Sequence, residues 1–199
     1  NIIQNIRFPT SLKELHLALI NFNFSVVNSQ DYEDRMIACF STLKICNSFS
    51  LTINYPNNFQ ELNCCKFLAY LFKALPTIIK HLDICIRVPS IDYLNWNSRT
   101  QETFSIISRF TDLQSLKMIL PIEYTEIQLL TNITGLKNLT SMEFVGCCPL
   151  LDLFQNESLR KIEKVSLYQE FPDSKFEEHF EKLLKSMNHY NQATDIYIQ

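Results

Sequence analysis

A block of apolar residues spaced apolar-x-x-apolar-x-apolar returns about every thirty residues along this chain, and a period of that length restricts the fold to a stack of similar units. The clearest copy is Leu12, Leu15 and Leu17. Further copies are Cys46, Phe49 and Leu51; Ile79, Leu82 and Ile84; Leu113, Leu116 and Met118; Leu139, Met142 and Phe144; Ile162, Val165 and Leu167; and Ala193, Ile196 and Ile198. Within a block the last two apolar residues alternate, as a strand with one buried face requires. Between blocks the apolar spacing lengthens to that of a helix. A unit this short cannot bury its apolar face alone, so neighbouring units must share one continuous core.

The prolines fix the phase of the repeat independently. Pro56, Pro89, Pro149 and Pro172 each stand ten residues after a block's first residue, Pro121 stands eight after, and Pro9 and Pro76 stand three before. All seven prolines therefore fall just outside a predicted strand, where a residue with no N–H removes no ladder hydrogen bond.

Seven such blocks resemble leucine-rich repeats, most nearly the irregular intracellular kind found in ribonuclease-inhibitor-like and F-box-associated proteins. The resemblance implies an α/β solenoid, or horseshoe, with a concave parallel sheet of about seven short strands and helices on the convex side. The intervals between blocks, read from the residue numbers, are 34, 33, 34, 26, 23 (Leu139 to Ile162) and 31. The long ones hold a full helix; the shortest holds a brief helix or a single turn. The asparagine ladder of regular repeats is largely missing, because position nine reads Ile20, Asn54, Arg87, Pro121, Cys147 and Glu170. That departure makes the likeness one of architecture. No linker, charge block or low-complexity run divides residues 1–199, so a single domain is expected, and a start at Asn1 reads as a piece of a longer chain.

Composition narrows the function classes. Only two glycines occur in 199 residues, which leaves nothing for a glycine-rich phosphate loop or a nucleotide fold. A net charge of −3 with dispersed Lys and Arg argues against a nucleic-acid partner, which needs a concentrated basic face. The longest uncharged stretch, Ile45 to Gln60, contains a proline and five Asn or Gln residues, so no membrane span is expected. Seven cysteines, at 39, 46, 64, 65, 85, 147 and 148, show no paired zinc spacing. They read as reduced core thiols, which points to the cytoplasm or nucleus. Four Asn-x-Ser/Thr sequons, at Asn23, Asn132, Asn138 and Asn156, are what chance gives for this composition, and no glycosylation follows from them.

Helical spacing fills the intervals. Met36, Ile37, Phe40 and Leu43 precede the second strand; Leu68, Leu71, Phe72 and Leu75 precede the third; Phe104, Ile107 and Phe110 precede the fourth. A further helix is expected from Ser174, whose Ser174-x-x-Glu177 capping box leads into an apolar face of Phe176, Phe180, Leu183, Leu184 and Met187.

In each block the fourth and sixth positions point into the core, so the third, fifth and seventh face outward across the sheet. The fifth-position column reads His16, Ser50, Asp83, Lys117, Glu143, Ser166 and Tyr197. Asp83, Lys117 and Glu143 are neighbours in it and are expected to pair, either as a cross-strand charge ladder or as a pattern shown to a partner. The seventh-position column reads Ala18, Thr52, Cys85, Ile119, Val145, Tyr168 and Gln199. Cys85, Ile119, Val145 and Tyr168 would form an apolar stripe, the kind of patch that marks protein contact unless another segment of the chain covers it. Tyr168 is the best anchor candidate.

Catalytic and metal constellations are not legible. His16, Ser50 and Asp83 share a column, but the serine falls between the other two, whereas a nucleophilic triad needs its histidine in the middle. His81 beside Cys46 or Cys85 lacks any oxyanion hole, and His179 and His189 read as surface residues of the last helix. No cofactor, metal site or enzymatic activity is expected. The resemblance implies a protein-recognition module, as in the substrate-binding repeats of F-box ubiquitin-ligase adaptors. Alternatives are the sensing repeat of a nucleotide-binding immune receptor or a bacterial effector, and, from another class, an enzyme built across the concave sheet. An uncovered last strand would also leave an open sheet edge and favour self-association.

Overall fold

The computed structural model describes residues 6–20, 22, 24, 27, 30–54, 61–87, 105–119, 135–145 and 164–168. Six strands form one sheet in strict chain order: β1 (Glu14–Ile20), β2 (Ser48–Asn54), β3 (His81–Arg87), β4 (Ser115–Ile119), β5 (Ser141–Val145) and β6 (Lys164–Tyr168). Every neighbouring pair is parallel. Among the described residues two α-helices stand between the first three strands, α1 (Gln30–Phe40) and α2 (Glu61–Ala74), and a 3-10 helix (Ile106–Arg109) precedes β4. The fold is thus α/β. The predicted seventh strand and the helix from Ser174 lie outside the described residues, as does the short outer segment after Leu139.

The registers are those the block spacing requires. Leu15 pairs with Phe49, Phe49 with Leu82, Leu82 with Leu116, Leu116 with Met142 and Met142 with Val165, so equivalent block positions share one row across the sheet. Phe49, Leu51 and Ile53 are buried, while Ser48, Ser50, Thr52 and Asn54 are half-buried on the other face. The core lies between the inward row and the helices. Phe40 of α1 meets Phe49 of β2 edge-on at 6.1 Å, and Phe72 of α2 meets Phe110 at 6.4 Å.

Main-chain bonds repeat with the block. The second-position carbonyls of Lys13, Asn47, Lys80 and Gln114 each accept two N–H groups, from the second and third positions of the next block, at 2.8–3.2 Å. Both lone pairs of each carbonyl are thereby used. A tight turn leads into the blocks: Leu12 donates to the Pro9 carbonyl, Cys46 to Leu43, Leu113 to Phe110 and Leu139 to Leu136. Leu43, Phe110 and Leu136 are buried there, which ties each turn to the core.

The helices follow from their sequences. In α1, Tyr32, Met36, Cys39 and Phe40 recur at helical spacing and are buried. Asp31 and Glu33 occupy its positively polarised first turn, and Asp31 pairs with Arg35 one turn on. The Ser41 and Thr42 hydroxyls donate to the carbonyls of Ala38 and Cys39 at its end. In α2, Cys64, Phe67, Leu68, Leu71 and Phe72 face the core, and Pro76 follows the helix, where it cannot continue it. Lys73 reaches back to Glu33 of α1 at 3.0 Å, and its ammonium lies 5.7 Å from the Tyr70 ring centre. Arg109 donates from Nη1 to the carbonyls of Phe72, at 3.0 Å, and Lys73, closing the end of α2 from the next unit.

One expectation about the outer layer needs correction. Ile37 does not face inward: it is 40% exposed, because Met36 and Phe40 already fill the buried stripe and residue 37 lies about 100° around the helix from Met36. As expected from its spacing, the segment before β4 is helical where it is described, with Ser105 in α-helix and Ile106–Arg109 in a 3-10 turn. Ile107 and Phe110 are three apart, the period at which a 3-10 turn puts two side chains on one side, and both are buried. At the other end, Ile6 and Phe8 pack on the core without forming a strand. The Phe8 ring lies 5.2 Å from that of Phe40, and the Ile6 carbonyl accepts a 3.0 Å contact from the Cys39 thiol.

Candidate functional site

The sheet face turned away from the helices carries the side chains that are not needed for the core. Its fifth-position row runs His16, Ser50, Asp83, Lys117, Glu143 and Ser166 in unbroken register. Parallel strands hold these neighbours at about 4.8 Å spacing, so the charges face one another as the sequence implies. Lys117 Nζ sits 2.7 Å from Glu143 Oε1, with the two side chains 35% and 28% exposed. An ion pair this open contributes about 0.2–1 kcal/mol.

Asp83 is held differently. Its Oδ1 is buried without a hydrogen-bond partner, while Ser50 hydrogen-bonds to the same carboxyl group from the adjacent strand. Burial pushes the Asp83 carboxyl above its ordinary range. Attraction from Lys117 opposes the rise, repulsion from Glu143 adds to it, and His16 and the Ser50 bond oppose it.

The seventh-position row aligns Ala18, Thr52, Cys85, Ile119, Val145 and Tyr168. Ile119 is half-buried. Cys85, expected to lie open on the stripe, is only 7% exposed, although it stands apart from the core cluster. Its cross-strand neighbours are Thr52 and Ile119, and its burial takes it out of reach of a contacting surface. Of Val145 and Tyr168 the structure describes the strand positions, which fall in the same row; their side chains lie outside the described residues.

The His16, Ser50 and Asp83 row has the order expected from the block phase. Ser50 stands between the other two, and the imidazole does not bridge serine and carboxylate. Cys39, Cys46, Cys64, Cys65 and Cys85 are buried thiols, and burial raises those of Cys39 and Cys46 above their ordinary values. Cys147 and Cys148 lie outside the described residues. Among the described residues, no group of three or more His, Cys, Asp or Glu side chains is placed to hold a metal ion, and no helix is long and apolar enough to cross a membrane. Asn138, in one of the sequons, has its side-chain amide engaged with the Thr111 carbonyl at 2.9 Å. Two features escape a reading of the sequence: the Arg109 contact across units, which no local pattern announces, and the orphaned oxygen of Asp83, which depends on which carboxylate Lys117 meets.

No protein-family model matches the chain, and no curated protein matches it in sequence.

Proposed function

We propose that this chain is a leucine-rich repeat solenoid of the irregular intracellular type, and that it acts as a protein-recognition module through the sheet face opposite its helices. The observation that carries the reading is the pairing of two rows on that face. The Asp83, Lys117 and Glu143 charges run beside the seventh-position row of Cys85, Ile119, Val145 and Tyr168. Apolar residues flanked by ordered charges are the composition of a protein-contact surface, in which an apolar centre supplies affinity and charges set orientation. Ile119 and Tyr168 are the anchors in this reading.

The role that fits is recognition of a substrate or partner protein in the manner of F-box-associated ubiquitin-ligase adaptors, in the reducing cytoplasm or nucleus where buried thiols persist. The test is affinity purification of the protein from its own cells, beside variants Ile119→Arg and Tyr168→Ala. A protein lost from both variants, with ubiquitin-ligase components retained, supports a substrate receptor reading through this face. Partners unchanged in both variants would refute the assignment of the face.

A further inference from the structure

Lys117 stands one strand from each of two carboxylates, Asp83 on β3 and Glu143 on β5. The flexible four-carbon stem of a lysine lets its ammonium reach either neighbour at this spacing. It is paired with Glu143, and Oδ1 of Asp83 is left buried without a hydrogen bond. The row thus carries two carboxylates to one ammonium. Ser50 serves the same half-buried carboxyl, but a buried carboxylate oxygen with no hydrogen bond is an unfavourable arrangement that a second cation would relieve. We infer that the centre of this face takes up one cationic side chain, arginine or lysine, from a protein partner, the incoming cation pairing with Glu143 while Lys117 turns to Asp83.

This rests on the reading of the face proposed above and adds the chemistry of the partner. Glu143 is 28% exposed and open to approach. Arginine suits it best, since a guanidinium can grip a carboxylate through two parallel bonds. Ile119 lies on the same face as Lys117, two residues along β4, so the partner segment should carry an apolar residue beside its cation. Arg87, four residues along β3 from Asp83, lies about 13 Å away by strand rise and does not reach Asp83.

The test pans a phage-displayed library of random dodecapeptides on the full chain and measures affinities of synthetic copies by fluorescence anisotropy. The expected peptides carry arginine or lysine beside leucine, isoleucine or phenylalanine. Replacing the arginine by citrulline should weaken binding about tenfold or more. In the Glu143→Gln variant, shown by circular dichroism and urea melting to keep its fold, that difference should vanish. Asp83→Asn should reduce it severalfold, because the relief gained by turning Lys117 is gone. Peptides that bind without any cationic preference, yet are lost in Ile119→Arg, would overturn this inference and leave the proposed face intact. Peptides indifferent to both Glu143→Gln and Ile119→Arg, or no peptide selected at all, would overturn both.

Discussion

Replacing Arg109 by methionine tests whether neighbouring units are joined by more than apolar packing. Methionine keeps a long apolar stem and removes the charge and both donors. The guanidinium bonds the carbonyls of Phe72 and Lys73, among the last of α2, and lies 5.9 Å from the Phe110 ring centre. A hydrogen bond from a charged donor contributes about 1.5–3 kcal/mol, and a cation at a helix C-terminus about 0.3–1 kcal/mol. Water can take over the more exposed Lys73 carbonyl, so one full bond and part of the dipole effect remain to be lost. The expected destabilisation is about 2–3 kcal/mol, or a fall in melting temperature of about 5–10 °C for a chain of this size. Arg109→Lys should recover about half, since one ammonium can serve one carbonyl. Urea denaturation gives the difference, and amide exchange locates it: the Leu75 amide, bonded to the Leu71 carbonyl, should lose protection while the β1 amides keep theirs. A Met variant within about 0.5 kcal/mol of the native chain would refute the reasoning, as would equal losses in the Met and Lys variants.

Phe49→Ala should destabilise by about 3–5 kcal/mol in urea melts, because the ring is 1% exposed and packs on Phe40; a loss below about 1.5 kcal/mol would show that β2 does not anchor α1. Tyr32 is 3% exposed with an unpartnered hydroxyl, and burial pushes its pKa up to about 12. Burial penalises only the ionised phenol and the folded pKa is the higher, so stability is unaffected by this group below about pH 10 and falls as pH rises from there through about 12. Tyr32→Phe should therefore cost nothing at neutral pH and abolish one late phase in the ultraviolet titration of tyrosine; a marked loss at neutral pH would mean that the hydroxyl is bonded. Asp83 follows the same sign: its folded pKa is raised, so the native chain should lose stability as pH climbs from the ordinary aspartate value near 4 through the raised one. Asp83→Asn should flatten that part of the curve, and a curve unchanged in shape would dismiss burial as the cause.

Strand positions were the most legible part of the fold because they depend on a two-residue alternation and on prolines that can stand only outside the ladder. Once Leu12, Cys46, Ile79, Leu113 and Leu139 fix the phase, the rows containing Asp83 and Ile119 follow, and the registers agree residue by residue. Helix faces were less legible. Met36 and Ile37 are equally apolar, and only the position of the next layer decides that one is buried and the other exposed. The burial of Cys85 on the outer face was hidden for a related reason: side-chain direction can be inferred from alternation, but exposure depends on what the rest of the chain places beside it. Which of two carboxylates a lysine meets lies beyond pattern altogether, since Asp83 and Glu143 are symmetric about Lys117 in register.

The doubly bonded carbonyls of Lys13, Asn47, Lys80 and Gln114 have a bearing on how such a chain can change over time. Units are aligned there through atoms that every amino acid possesses, and the side chains at that position are free to differ, as these four do. Side chains on the outward rows can therefore be exchanged one at a time while the main-chain bonds that align one strand with the next stay in place.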